Sequence, residues 1–206
     1  LTEFSRSPRR LPGSTFAPWP VFYQASEDIQ RKYLFPVLDG KTSWSMCFTE
    51  PHAGSDLAAI RTSAVRKGDT YVINGRKMWR TGHREASFTA VAAVTDPAKG
   101  YRGISVFLVD NDTSGFEKVR DIPGMSRQWG VEEEVKLENV VVPAGNLLGG
   151  EGNGFAIAQH QFNRFRLRLG GAALGMALRS QELAVEYATN REVFGGRLSD
   201  NQAIQW

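Results

Sequence analysis

Hydrophobic and polar positions change their rhythm three times along this chain. From Ser26 to Leu38 the apolar positions Ile29, Tyr33 and Leu34 share one helical face; Ser26 suits an N-cap, and Glu27 and Asp28 occupy the first turn. Gly40 ends that helix, and Pro36 inside the pattern predicts a stop about one residue before it. Between 43 and 142 the period shortens to two. Trp44, Met46 and Phe48 alternate with Ser45, Cys47 and Thr49, as in a half-buried strand that Pro51 then terminates. Strands are expected at Arg61–Arg66 and Thr70–Ile73 around a Lys67-Gly68-Asp69 turn. Asn74-Gly75 predicts a type I′ hairpin returning into Arg76–Arg80. Ala86–Val94, Ile104–Asp110, Phe116–Arg120 and Val135–Val142 complete the series, with turns at Asp96-Pro97, Ser114-Gly115 and Pro123-Gly124. Strands this dense, with no helix between them, predict an antiparallel barrel or sandwich.

After Gly149-Gly150-Glu151-Gly152-Asn153-Gly154 the period lengthens again. The alternating glycines lack the third glycine of a dinucleotide-binding loop and follow no buried strand, so they read as a flexible hinge with Asn153 as a helix cap. Phe155, Ala158, Phe162, Phe165, Leu169, Ala172, Met176, Leu183 and Tyr187 then keep helical spacing, and no proline intervenes as far as Arg191. A helix this long needs other helices beside it, and Gly170, Gly171 and Gly175 suggest a close neighbour. Ser199 or Asp200 is expected to cap a further helix, inside which the chain ends at Trp206. The fold class is therefore α+β, an antiparallel β-domain flanked by helical segments. Its parts are 1–42, 43–148 and 149–206, the last being the truncated start of a helical bundle. Residues 1–24, rich in proline and arginine, read as loop or extended chain.

Composition narrows this little. With 206 residues, 41% hydrophobic and 23% charged, the chain is of the globular class, and no apolar run is long enough for a transmembrane helix. One cysteine excludes an internal disulfide and fits a reducing compartment. His52, His83 and His160 have no metal-ligand spacing, so no metal site is expected. The net charge of +3 lacks the aromatic interleaving of a nucleic-acid surface. Arg6, Arg9 and Arg10, the run Glu132–Glu134, and Arg164, Arg166 and Arg168 read as solvated faces. For the last cluster a phosphate-bearing ligand competes, although Arg166 points away from the face shared by Arg164 and Arg168.

Local chemistry at Met46–Asp56 describes an ordinary strand and an Asx-type turn whose free N–H groups suit a phosphate. The wording is more specific. Cys47-Phe48-Thr49-Glu50-Pro51 followed by Ala53-Gly54-Ser55-Asp56 resembles the flavin-binding signature of the acyl-CoA dehydrogenase family. Asn74-Gly75-Arg76-Lys77-Met78-Trp79-Arg80-Thr81 resembles its second flavin segment. Leu137-Glu138-Asn139-Val140, Leu148-Gly149 with Gly152-Asn153-Gly154-Phe155, and Arg191, Phe194-Gly195, Leu198 and Gln202 follow in register. Two departures stand out. Arg80 replaces an apolar residue and Gly82-His83 replaces Asn-Gly, while Met125–Glu134 lacks the usual Ser/Asp-Thr pairing.

The resemblance implies FAD as cofactor and α,β-dehydrogenation of an acyl-CoA thioester, as in fatty acid metabolism, with hydride passing to flavin N5. Met46, Phe48 and Thr49 would lie against the ring, Gly54 and Ser55 near the pyrophosphate, Trp79 on the ring and Thr81 near N5. Ser55, Asn163, Arg164, Phe165 and Arg166 would border the acyl-CoA. Arg191, Phe194 and Gln202 would touch the flavin of a neighbouring subunit in a homodimer or homotetramer. An electron-transfer flavoprotein is the implied redox partner, with no membrane or nucleic acid, in the cytoplasm or, in a eukaryote, the mitochondrial matrix. The catalytic base is not identified in this chain. The family places it beyond Trp206 or, in a minority, at the position of Phe165, which cannot accept a proton. Glu50 and Asp56 are expected to be structural. An oxidase on the same scaffold and a non-catalytic flavin-binding subunit are the alternatives.

Overall fold

The computed structural model describes residues 18–82, 86–124 and 131–206. The expectations for residues 1–17, including Arg6, Arg9 and Arg10, for His83 and for Met125–Gly130 lie outside the described residues. The chain divides between Gln161 and Phe162 into two compact units.

The unit before Phe162 opens with α1 (Trp19–Gln24), followed by a helical run of α2 (Glu27–Ile29), a π-helical turn (Gln30–Leu34) and α3 (Phe35–Leu38). The Ser26 hydroxyl accepts from the Ile29 amide at 3.5 Å, as an N-cap does. Pro36 does not stop the helix where expected. The preceding turn widens so that Phe35 N–H donates to the Gln30 carbonyl, and that wider turn carries the proline ring past the clash an α-turn would impose. The helix ends at Leu38, followed by Gly40 at φ 70°.

Eight strands form one sheet in the order β6-β7-β3-β2-β4-β5-β8, with β1 added on β4. They are β1 (Ser43–Cys47), β2 (Ser63–Lys67), β3 (Thr70–Gly82), β4 (Ala86–Val94), β5 (Ile104–Asp110), β6 (Phe116–Ile122), β7 (Val131–Pro143) and β8 (Leu147–Leu148). Among the described residues β6 and β8, the first and last strands of the path, do not pair, so the sheet does not close into a barrel. Nor is it purely antiparallel, because β1 and β2 each pair with β4 in parallel. Tyr71, Ile73, Val91, Ala93, Phe107, Val109, Val135, Leu137, Val140 and Val142 point to one face and make the core. On the other face Tyr33 meets Phe88 edge-on with ring centroids 4.7 Å apart, and Trp44 stacks on the same ring. With both faces covered, β4 and β5 read as continuous apolar runs. The same cover explains why β1 is buried almost throughout instead of alternating.

Asn74-Gly75 is not a hairpin. β3 runs through it unbroken, with a shift in register against β7 between Ile73 and Gly75, so the pair forms a bulge. A Cβ on Gly75 would sit 2.2 Å from the Thr62 hydroxyl, and the Asn74 side-chain oxygen accepts from the Asn139 amide at 2.8 Å. Close approach, not positive φ, requires this glycine. The hairpin lies at Lys67–Thr70, as the Lys67-Gly68-Asp69 turn predicts, with Gly68 at φ 61°.

The glycine segment before the long helix is packed rather than hinge-like. A Cβ on Gly154 would fall 2.7 Å from the Ser105 backbone, and one on Gly152 would fall 2.4 Å from the Arg102 carbonyl. Asn153 accepts from the Ile157 amide through its own carbonyl, while its side chain donates to the Gly149 carbonyl. The helix so begun, α4 (Gly154–Asn190), runs as the period predicts.

In the unit from Phe162 onward, α4 presents Leu167, Leu169, Leu174, Met176, Leu178, Leu183, Val185 and Tyr187 to solvent, and no described residue lies within 4 Å of a Cβ at Gly170, Gly171 or Gly175. A two-stranded ribbon follows, β9 (Glu192–Val193) and β10 (Gly196–Arg197), then a 3-10 turn (Leu198–Asp200) and α5 (Gln202–Gln205). Asp200 accepts from the Arg197 amide at 2.8 Å, and Asn201, not Ser199 or Asp200, precedes the last helix. No described helix is long and apolar enough to cross a membrane.

Candidate active site

Two segments that are far apart in sequence meet where β1 leaves the sheet. The Met78 amide donates to the Thr49 carbonyl at 2.9 Å, and the Ser45 hydroxyl donates to the Thr81 carbonyl at 3.2 Å. Met46, Thr49, Trp79 and Thr81 are thus brought to one edge. Met46, Thr49 and Thr81 are half-buried, and Phe48 is buried beneath them. Among the described residues none hydrogen-bonds the Thr49 hydroxyl.

Trp79 is the conspicuous member. It lies on a second bulge of β3, where the register against β7 shifts between Lys77 and Arg80, and its backbone stands at φ 60°. A bulky residue there costs roughly 1–3 kcal/mol. The bulge turns the indole outward, leaving Trp79 51% exposed. Nothing in the core requires that ring in that place, so both the strain and the exposed apolar surface fit a flat aromatic ligand. Gly54 and Ser55 are exposed on the turn beyond, and a Cβ on Gly54 would meet nothing within 4 Å.

Glu50 and Lys77 clamp this edge. The Lys77 ammonium, with no exposed surface, donates to the Glu50 carboxylate at 2.8 Å and to the Phe48 carbonyl at 3.2 Å. Glu50 also accepts from the Arg61 and Thr62 amides at 2.7 and 2.9 Å, closing the loop that carries Gly54 and Ser55. Burial works to raise the Glu50 pKa, but the Lys77 charge and these hydrogen bonds outweigh it and hold the carboxyl below its ordinary value. Burial also depresses Lys77, against the pull of Glu50. The expected structural role of Glu50 is what its contacts describe. Cys47 is fully buried beside the pair, and burial pushes its thiol up to about 12, past the lowering effect of Arg80 and Lys77.

The acidic run is not the solvated face expected of it. Glu133 and Glu134 are buried on β7, opposite arginines of β3 and β6. Arg80 pairs with Glu133 and donates to the Thr89 hydroxyl, and Glu134 sits 2.6 Å from both Arg76 and Arg120. Arg80, which stands where the family wording has an apolar residue, is thus paired with a carboxylate of the other departing segment. Strand pairing was the missing signal, because neither segment alone indicates its partner. Glu132 continues the run and accepts from the Thr81 hydroxyl.

The remaining expected residues lie in the second unit. Arg166 donates to the Asn163 side chain at 3.2 Å and covers the Phe162 ring, whereas Arg164 and Phe165 are half-buried on α4. Arg191 and Gln202 flank the β9–β10 ribbon, and the Arg191 carbonyl accepts from the Leu198 amide at 2.8 Å. Phe194 stands fully exposed at the tip at φ 51°. Among the described residues no group of three or more His, Cys, Asp or Glu side chains is placed to hold a metal.

The described geometry is an exposed indole beside two hydroxyls where β1 leaves the sheet, in a chain of the α+β class. Comparison gives it a family. The acyl-CoA dehydrogenase middle domain matches residues 45–140, and the family's C-terminal domain matches 152–206. The chain is 35% identical to an acyl-CoA dehydrogenase of Bacillus subtilis, over 91% of this chain and 49% of that protein. It is 34% identical to a probable medium-chain specific acyl-CoA dehydrogenase of Caenorhabditis briggsae, over 94% and 48%. The butyryl-CoA dehydrogenase structure from Megasphaera elsdenii superposes with a TM-score of 0.88 at 33% identity, covering 95% of this chain and 51% of that one. This chain belongs to the acyl-CoA dehydrogenase family. It spans about half the length of the relatives it matches.

Proposed function

We propose that this chain carries the flavin edge of an FAD-dependent acyl-CoA dehydrogenase, which removes an α-proton and a β-hydride from an acyl-CoA thioester. The observation that carries the reading is Trp79, held outward at φ 60° next to the strand end of Thr49. Met46, Thr49, Trp79 and Thr81 would hold the FAD ring, Phe48 would back it from below, and Gly54 and Ser55 would lie along its pyrophosphate. FAD, when bound, supplies the hydride acceptor. The chain's own part is to position and shield. Trp79 offers a plane for stacking and excludes water from one side. Thr49 offers a hydroxyl that can donate or accept in the ring plane, and Thr81, whose proton goes to Glu132, offers its oxygen as an acceptor. The buried Glu50–Lys77 pair fixes the loop on which Gly54 and Ser55 ride.

Asn163, Arg164, Phe165 and Arg166 would border the acyl-CoA, and Ser55 is a further acyl-CoA candidate. Arg191, Phe194 and Gln202 would reach the flavin of a neighbouring subunit in a homodimer or homotetramer. Phe194, fully exposed at a ribbon tip, suits such an anchor. Electrons would leave through an electron-transfer flavoprotein. The proton-abstracting base would come from outside the residues described.

Anaerobic titration of the full-length protein with acyl-CoA thioesters tests this. The expected result is bleaching of the flavin absorbance by at least one chain length. A yellow protein that no acyl-CoA bleaches would contradict the dehydrogenase reading. Fast re-oxidation by oxygen without a partner protein would point to an oxidase instead.

A further inference from the structure

Thr81 and Glu132 face each other directly in the β3–β7 register. The Thr81 hydroxyl lies 3.2 and 3.3 Å from the two Glu132 carboxylate oxygens. Its proton is committed there, because an ionised carboxylate only accepts. The two neighbouring acids are neutralised. Glu133 has Arg80 and, at 3.8 Å, Lys118, while Glu134 has Arg76 and Arg120. Among the described residues no lysine or arginine pairs with Glu132. Among the described residues, then, a half-buried carboxylate without a basic partner stands one hydroxyl away from the edge where the ring is proposed to lie.

We infer that Glu132 is a positioning residue that sets the reduction potential of that ring, holding Thr81 in place and opposing electron uptake by its charge. The inference rests on the flavin reading above. A ring touching the Thr81 hydroxyl would be within roughly 6 Å of the carboxylate, where unscreened unit charges in a partly buried site interact strongly. Reduction adds negative charge to the ring, so Glu132 disfavours the reduced form. Burial holds the Glu132 carboxyl above its ordinary value, and Glu133 adds to this while the Thr81 hydrogen bond opposes it. The charge is therefore best read at alkaline pH.

The test is spectroelectrochemical titration of the bound flavin in the full-length holoprotein at pH about 8.5. Glu132→Gln is expected to raise the reduced-to-oxidised ratio at fixed potential about tenfold, a midpoint shift of roughly 30 mV for a two-electron couple. Glu138→Gln, which removes an exposed, Lys136-paired charge from the same strand, leaves the midpoint unchanged. Should Glu132→Gln lose the flavin, Glu132→Thr provides the neutral reading. An unchanged midpoint in a yellow neutral variant would overturn the inference and leave the flavin reading intact. Loss of flavin from both neutral variants, with retention in Glu132→Asp, would assign Glu132 to holding the ring and also overturn it. A colourless wild-type protein would instead remove the flavin reading itself.

Discussion

Trp79 shows at the scale of one residue how this edge exchanges local comfort for a surface. Its φ of 60° belongs to glycine, and its exposed indole contributes nothing to the core. Trp79→Gly should therefore relieve strain of about 1–3 kcal/mol and lose about 0.5–1 kcal/mol to backbone entropy. Chemical denaturation of the FAD-free protein is expected to show stability unchanged or slightly raised, while FAD affinity falls at least tenfold. A large loss of stability would make Trp79 a structural residue. Cys47 is the opposite case, a buried group with no chemistry to offer. With its thiol pushed up to about 12 it should resist thiol reagents at neutral pH until denaturant exposes it. Labelling at the rate of a free thiol in the native protein would contradict the buried placement. The motif singles out Trp79 for its ring, but its backbone was not legible, since no local word announces a bulge that only pairing with β7 creates.

The elements are held together by buried polar pairs and close backbone contacts, which the hydrophobic pattern does not report. Removing one partner of the Glu50–Lys77 pair leaves a buried charge. Glu50→Ala is expected to cost about 3–5 kcal/mol, and Lys77→Met with Glu50→Gln to recover much of it, measured by denaturation. Glu50 also carries a pH signature. Its folded pKa lies below the ordinary 4.5, so its contribution is fully present above that value and is lost as pH falls through the folded pKa. The acid-unfolding curve of Glu50→Gln should accordingly be flatter below pH about 4.5 than that of the wild type. Gly75 makes a second test. Gly75→Ala places a Cβ 2.2 Å from the Thr62 hydroxyl and 2.7 Å from its Cα, and is expected to destabilise by about 1–3 kcal/mol, whereas Gly54→Ala is tolerated. Strand positions could be read from period-two runs because each buries a side-chain set on a defined face. The Asn74-Gly75 bulge, the π-turn before Pro36 and the Arg80–Glu133 pair could not, because each depends on a partner distant in sequence.

Across the whole molecule the pattern is of a sheet domain with its core closed and a long helix with its apolar stripe uncovered. Leu167, Leu174 and Met176 are each more than 60% exposed. The order of helix, strands and long helix followed from periodicity, and the family followed from five short words in register. Sheet order, the parallel placement of β1 and the open ends did not, since hydrophobic period is silent on which strands pair. The central claim, that the Thr49–Trp79–Thr81 edge receives a flavin, is most directly tested by titrating FAD into the full-length apoprotein while following tryptophan fluorescence and the visible spectrum. Saturable quenching should appear together with a protein-bound flavin spectrum, and Trp79→Ala should weaken binding at least tenfold. A full-length protein that stays colourless and unquenched at every FAD concentration would contradict it.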